Sequence, residues 1–597
     1  MPEEPAPAPA QPASAQPAPA QPAAREQPAE EARWGREVVP GTAGGHPCLT
    51  YARRPGSLAE LLSGTGRWAE REFLVQGERR VSYGAFTGAV ARVAAHLRGL
   101  GVRPGQRIML LGFNQIEWVV AFWAAQTLGA VAVLGNAWWS GAETAAALDQ
   151  AAPVLVLASE SRPGGTVSPA PAARVLGLDA LRPLVDGGPG APGPAALDPI
   201  PVAEDDPALI MFSSGTTGTA RGVVMSHRSV IANLQNLLVL TGRLPTELPP
   251  GHPGTVSLLS VPLFHLAGIQ TSCTTLLTGG KLVFLSGRFD PAEVLELIEH
   301  ERVRVWGSVP TMVSRVLDHP GLTRRDTSSL RSVPMGGAAV SPELRQRVAA
   351  SFPGVKSGAG SLYGLTEAGG VLAAGSGPDL DDRPGCVGRA LPVVELRIAG
   401  PGPDGVGEIQ ARTPTATDGY LGDPVPLTEP DGWISTGDLG RIEEPGWLYV
   451  TGRSKDIIIR GGENVACAHV EQALLRHPDV LEAAVVGLPD ADLGEEVGAV
   501  VVLRPGARAG VAELRRHAGT ELARFEHPAR WWLRRGPLPV NATGKILRRE
   551  IRSDWLARGA DDLADLAGRA EPAPGNTALQ RTDRPGSPAD AESSRRP

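Results

Sequence analysis

The chain has 597 residues, 42% hydrophobic and 20% charged, the balance of a globular protein long enough for more than one domain. Its formal charge of −7 gives no nucleic-acid footprint, and no run of about 18 apolar residues offers a membrane span. The four cysteines (Cys48, Cys273, Cys386 and Cys467) lie far apart without C-x-x-C spacing, and the N-terminus lacks a basic stretch followed by an apolar core. Free thiols in a reducing cytoplasm are therefore expected.

Residues 1–45 read as a disordered tail, because the first 32 or so are mostly Ala, Pro, Gln and Glu with no apolar period. From about residue 85 to 350, short apolar runs alternate with amphipathic stretches. Strands are predicted at Arg107–Leu111, Val131–Leu134, Ala208–Phe212, Val256–Val261 and Val303–Trp306, and helices at Ile116–Leu128, Pro291–Arg302 and Thr311–Leu317. Such alternation argues for mostly parallel sheets covered by helices. Around residues 385–452 the pattern changes to short strands with turns, including Glu395–Ala399 and Gly407–Arg412, as in a small barrel or antiparallel sheet. After Lys455 a further α+β unit is expected, with strands near Ala483–Val486 and Gly498–Leu503 and a helix over Val511–Arg524. Residues 558–597 read as a second, mostly disordered tail, its end rich in Pro, Ser, Asp and Arg. Gly188–Gly193 and Gly400–Gly405 match G-x-G-x-x-G literally, but neither follows a strand and opens a helix, so a dinucleotide site is not expected. A G-x-S-x-G serine-hydrolase elbow is absent.

The apolar run Ala208–Phe212 leads into Ser213-Ser214-Gly215-Thr216-Thr217-Gly218-Thr219-Ala220-Arg221-Gly222. Glycines let backbone approach a ligand closely, and hydroxyls and amides then face anionic oxygens, which makes a phosphate cradle. The Walker A pattern does not fit it, and a Ser/Thr/Gly surface turn has the same composition. Only four of the 57 basic residues are lysines: Lys281, Lys356, Lys455 and Lys545. In such a chain a lysine is of interest for its compact ammonium, which a planar guanidinium cannot copy. Lys545 lies in Leu538–Arg549, a turn leading into a basic helix. Three more clusters follow the phosphate loop. Ser361–Glu367 offers a tyrosine for stacking and a carboxylate for a hard cation. Trp433–Gly440 offers Asp438 as an acceptor for sugar hydroxyls, or an Asx turn. Thr451–Val465 is dense in charge and glycine.

These clusters, with the turn around Lys545, resemble in order and spacing the adenylate-forming superfamily of acyl-CoA synthetases, peptide-synthetase adenylation domains and beetle luciferases, over roughly residues 50–555. The resemblance implies an α/β fold: a large N-terminal domain of two αβ sheets plus a small β-barrel at 46–453, a hinge at 454–456, and a smaller mobile α+β lid domain at 457–557. It implies acyl-AMP formation from a carboxylic acid and ATP, then displacement of AMP by a thiol. On these positions Ser213, Ser214, Gly215, Thr216, Thr217 and Gly218 would hold the β- and γ-phosphates, with Arg221 and Thr366 also at the nucleotide. Thr216 and Glu367 would place Mg²⁺; Gly360, Ser361 and Tyr363 would line the adenine; Asp438 and Arg453 would bind the ribose. Lys455 falls at the hinge, Lys545 would bridge carboxylate and α-phosphate, His265 would gate the passage between acyl and thiol sites, and Gly462 would sit by the pantetheine tunnel.

The chain departs from the family pattern in two places: Ala220-Arg221-Gly222 replaces the usual Pro-Lys-Gly, and Cys467 and His469 stand where proline and glutamate are usual. No acid lies beside Phe264-His265 to pair with an amino-acid ammonium. The pocket segments Leu266–Ile269, Trp306–Val309 and Met335–Ala339 are mostly small or apolar, and Leu134–Gly141 looks like bacterial fatty acyl-CoA ligases. The expectation is an acyl-CoA ligase for a medium- or long-chain fatty acid, using ATP, Mg²⁺ and CoA. The alternatives are loading of an acyl carrier protein, or a catalytically silent acyl-nucleotide-binding protein.

Overall fold

The apolar runs of the first half assemble two sheets around shared helices. A computed structural model describes residues 33–558 and 563–564, except 163–166, 168–172, 188–196, 214–219, 250, 356–358, 418, 462 and 542–543. The first sheet has seven strands in the spatial order Gly419–Tyr420, Arg221–Ser226, Pro207–Ser213, Val131–Gly135, Arg107–Leu111, Leu155–Ala158, Arg174–Gly177. The last five run parallel, and the first two join antiparallel at one edge. A second sheet orders Val305–Gly307, Val256–Leu259, Lys281–Phe284, Glu72–Gln76 and Arg79–Ser82. The helix Ile116–Thr127 is buried at every position. It packs in one core with Leu110 and Leu134 of the first sheet and Leu74 and Phe284 of the second, as a helix apolar on all sides must.

An eight-stranded sheet follows, in the order Met335–Gly336, Ser361–Leu365, Gly370–Gly375, Cys386–Ala390, Trp447–Arg453, Trp433–Glu443, Gly407–Arg412, Glu395–Ala399. Laid flat, the strands Gly370–Gly375 and Gly407–Arg412 would stand about 19 Å apart at ordinary strand spacing. Instead Ala373, Ile409 and Leu448 share one small core, so the sheet rolls on itself as the expected barrel does. Gly400–Gly405 forms the turn between the strands Glu395–Ala399 and Gly407–Arg412, while Gly188–Gly193 lies outside the described residues.

The C-terminal unit builds its own core on the strands Val480–Asp490 and Gly494–Leu503, with the helices Cys467–Leu475 and Val511–Glu521 packed against them. Ile457–Arg460, Glu463–Ala466, Arg530–Arg534 and the short Leu563–Ala564 extend that sheet. The two tails 1–32 and 565–597 lie outside the described residues. Residues 33–45, expected within the first tail, are instead structured. Val38–Ala43 pairs with His46–Tyr51, turning on Gly44 and Gly45 at φ 54° and 82°, and Trp34 is buried. Two positive φ values suit a tight hairpin turn, so the Gly-Gly pair marks a hairpin that the Ala/Pro-rich approach conceals. All four cysteines are free and buried, and no described helix is long and apolar enough to cross a membrane.

Candidate active site

The strands of the rolled sheet carry the first group of side chains. Asp438 lies opposite Arg453 in the ladder between Trp433–Glu443 and Trp447–Arg453. Its carboxylate is buried, and both oxygens are engaged: Tyr363 Oη donates to Oδ2 at 2.8 Å, and Arg453 Nε lies 3.0 Å from Oδ1. Burial raises the Asp438 pKa above the usual carboxylate range, and the Arg453 guanidinium opposes that rise. Burial likewise raises the Tyr363 phenol, with the Asp438 charge adding to it. Gly360 and Ser361 precede Tyr363 on the cleft wall; a Cβ on Gly360 would lie 3.3 Å from the Gly375 carbonyl oxygen. The Thr366 carbonyl closes a turn by accepting from the Gly369 amide at 2.9 Å.

Glu367 forms a second group. Tyr420 Oη donates to Glu367 Oε1 at 3.0 Å, and the Arg221 guanidinium stacks 3.6 Å from the Tyr420 ring centroid. The pairing of Gly419–Tyr420 against Arg221–Ser226 brings these residues together. Burial pushes the Tyr420 phenol up to about 12, and Glu367 adds to the shift. Ser213 Oγ and Arg221 Nε, on the residues that flank 214–220 in the sequence, are buried without a hydrogen-bond partner among the described residues. The loop positions Ser214, Gly215, Thr216, Thr217 and Gly218 lie outside the described residues, as does Gly462. Sequence reasoning did not single out Tyr420. The available signal was rarity, since two of only five tyrosines stand here.

The C-terminal unit supplies Lys545 through a turn of defined shape. Asn541 and Lys545 exchange backbone and side-chain bonds: Asn541 N donates to Lys545 O at 2.8 Å, and Lys545 N donates to Asn541 Oδ1 at 2.9 Å. Gly544 holds φ 76°, a left-handed value that favours glycine, and Thr311 Oγ1 of the large domain donates to its carbonyl at 3.2 Å. The Lys545 side chain keeps solvent contact yet stands inside the cleft mouth. Surrounding protein and the Arg453 guanidinium hold its ammonium below the ordinary lysine range, while Asp438 and Glu367 pull the other way. Among the described residues it makes no ion pair. His265 caps the helix Leu266–Leu277; burial first, then the Lys545 charge, lower its pKa to about 4, and its Nε2 has no partner among the described residues. Its imidazole is therefore neutral near pH 7. Lys455 lies in the single helical turn Ser454–Asp456 that joins the rolled sheet to the C-terminal unit, and Ser454 Oγ donates to the Gly437 carbonyl at 3.1 Å.

One continuous cleft of about 2770 Å³ brings together Ser213, His265, Tyr363, Glu367, Asp438 and Lys545. That exceeds the ~300–1,000 Å³ of a single small-molecule site and has room for several reactants at once. The AMP-binding enzyme profile matches residues 64–421, and the AMP-binding enzyme C-terminal domain profile matches 469–545. The chain belongs to the adenylate-forming AMP-binding enzyme family. It is 34% identical over 486 residues to a feruloyl-CoA synthase of Amycolatopsis, covering 80% of this chain and 94% of that one. To a long-chain-fatty-acid–CoA ligase of Mycobacterium tuberculosis it is 31% identical over 501 residues, covering 80% and 94%. ATP-bound MatB from Rhodopseudomonas palustris superposes with a TM-score of 0.72 at 28% identity, covering 83% and 99%. This AMP-binding enzyme is an AMP-forming acid–thiol ligase, with ATP and CoA as fitting substrates.

Proposed function

We propose that this ligase joins a carboxylic acid with a bulky, largely apolar body to ATP, releasing pyrophosphate, and then passes the acyl group from acyl-AMP to CoA, releasing AMP. The observation that carries the reading is the placement of Lys545. Lys545, with no ion pair among the described residues, lines the same cleft as Asp438, Glu367 and His265. In the first half-reaction a carboxylate oxygen attacks the α-phosphorus, and negative charge builds on the phosphoryl oxygens. Lys545 neutralises that charge from a fixed position. Asp438 accepts from ribose hydroxyls, Arg453 flanks the sugar, and Tyr363 with Gly360 and Ser361 lines the adenine.

Ser213 and Arg221, with buried polar atoms that have no partner among the described residues, fit the phosphate end of ATP. Among the described residues no cluster of three His, Cys, Asp or Glu can hold a metal, so a protein cage is not the fit. Mg²⁺ suits Glu367 together with the phosphates themselves, where it would neutralise charge on the leaving pyrophosphate. The neutral His265 ring stands between acyl and thiol ends as a gate rather than an ion-pair partner. The acid remains a choice between a medium- or long-chain fatty acid and an aryl acid, since relatives carry feruloyl and long-chain fatty acyl in their names. CoA as acceptor is common to those names, which favours it over a carrier protein. The test is ATP–pyrophosphate exchange with a panel of alkyl and aryl acids, followed by thioester formation with CoA. Absence of acid-dependent exchange across the panel overturns the reading.

A further inference from the structure

The helix Leu266–Leu277 runs away from the catalytic end of the cleft. His265 caps its N-terminus near Lys545, and its far end reaches Gly279, whose carbonyl a Cβ on Gly254 would overlap. It lines the cleft with Leu266, Ala267, Gln270, Thr271, Thr274, Thr275 and Thr278, of which all beyond the first turn are polar. A pocket for a plain hydrocarbon calls for an apolar stripe, and this one is polar. The threonine donors are already used within the helix: Thr271, Thr274 and Thr278 hydroxyls donate to the carbonyls of Ala267, Gln270 and Thr274 at 2.8, 2.7 and 2.8 Å. Gln270 differs. It is 8% exposed, it lines the cleft, and its Nε2 is buried with no hydrogen-bond partner among the described residues. A buried amide donor left unmade is unfavourable unless a ligand completes it. The far end is polar as well. Arg243 lines it with Arg304 as the charge acting on it, and no carboxylate pairs with it among the described residues.

Resting on the ligase reading above, we propose that the acid carries an oxygen function, a hydroxyl or a carbonyl, partway along its body, and that Gln270 is the side chain that recognises it. Gln270 lies five positions on from His265, so its Cα is about 7.5 Å along the axis from the catalytic end. That is the reach of a para oxygen on an arylpropenoic acid or of a mid-chain oxygen on an alkyl acid. The amide serves either: its NH₂ donates to a carbonyl, and its oxygen accepts from a hydroxyl. The closed Thr271, Thr274 and Thr278 hydroxyls leave only acceptor lone pairs, and Gln270 Nε2 is the buried donor of this stripe with no partner among the described residues.

The test compares kcat/KM in ATP–pyrophosphate exchange for matched pairs: para-hydroxycinnamic against cinnamic acid, and a mid-chain keto acid against its parent alkanoic acid. Wild type is expected to prefer an oxygenated member by about tenfold or more, the worth of one well-made buried hydrogen bond. In Gln270→Leu, of similar bulk, that ratio falls toward one. Both acids are read on one preparation, so losses from misfolding cancel in the ratio. Equal use of both members by wild type, preference for the plain acid, or an unchanged ratio in Gln270→Leu overturns the inference while leaving the ligase reading intact. Absence of exchange with every acid overturns the ligase reading and this inference with it.

Discussion

Replacing Gly544 with alanine tests whether the Lys545 turn must dock on the large domain for adenylation. At φ 76° an L-residue is strained by about 1–2 kcal/mol, but the turn bears that strain docked or undocked. The contact cost is different. A Cβ on Gly544 would lie 2.7 Å from Thr311 Oγ1 and 3.0 Å from Val309 Cγ2, so the turn must withdraw and the Thr311–Gly544 hydrogen bond is lost. That bond is worth about 1 kcal/mol. With displacement of the two side chains, the docked state loses about 1–3 kcal/mol, a roughly 5- to 150-fold fall in adenylation rate. If the turn docks for adenylation alone, transfer from supplied acyl-AMP to CoA should fall far less. The assay is ATP–pyrophosphate exchange beside single-turnover transfer of supplied acyl-AMP. Removing the obstructing hydroxyl in Gly544→Ala/Thr311→Ala should recover part of the loss. Equal falls in both half-reactions, or adenylation within scatter of wild type, would refute the reasoning.

Lys545→Ala should lower acyl-AMP formation by roughly 10²-fold or more, the scale of one lost transition-state donor, while transfer from supplied acyl-AMP largely survives. Single-turnover rates of the two steps decide it. Lys455→Pro, in the turn Ser454–Asp456, should form acyl-AMP near the wild-type rate but transfer it slowly, so that bound adenylate accumulates in quenched reactions. His227 is buried, accepts from the Leu58 amide at 3.2 Å, and has its pKa lowered by burial from 6.5 to about 4. The unfolded chain then binds more protons, so stability present above pH 6.5 should decline as pH falls toward 4, by roughly 3 kcal/mol in denaturant titrations. His227→Asn should flatten part of that slope.

The parts legible in the sequence are those whose signal is local. The all-buried runs Val131–Gly135 and Ala208–Phe212 read as parallel strands because both faces are covered. Asp438, Tyr363 and Lys545 stood out because glycine-rich turns or compositional rarity marked them, and the fold brings all three to one cleft. What stayed hidden depends on long-range pairing. Tyr420 meets Glu367 across 53 residues only because a two-residue edge strand completes the seven-stranded sheet. Gln270 was not singled out in the sequence, since the cavity fixes which face of its helix matters. The pocket segments looked apolar because the polar stripe begins one residue beyond Leu266–Ile269.

On the proposed function, the anchoring of Lys545 would let a cation held by one unit act at a site built by another. Three residues after it, Arg548 grips Glu471 through Nη2 at 2.7 and 2.9 Å and Nε at 3.1 Å, and reaches Asp456 in the turn Ser454–Asp456 at 3.5 Å. Glu471 also accepts from the Val485 amide at 2.8 Å; burial raises its pKa, and Arg548 opposes that rise. Such a buried, multiply bonded pair is costly to break, because either partner would be left uncompensated. Contacts from this unit to the large domain are of another order. They include the 3.2 Å Thr311–Gly544 bond and ion pairs of 3.9 Å for Arg315–Glu482 and 3.4 Å for Arg504–Asp318, with Arg315 and Arg504 at least a third exposed. Exposed pairs of this kind contribute about 0–1 kcal/mol each. Lys545 is thus held firmly to its own domain and loosely to the site it serves. On the proposed function, that ordering would let the cation leave after adenylation without any part of its own unit unfolding.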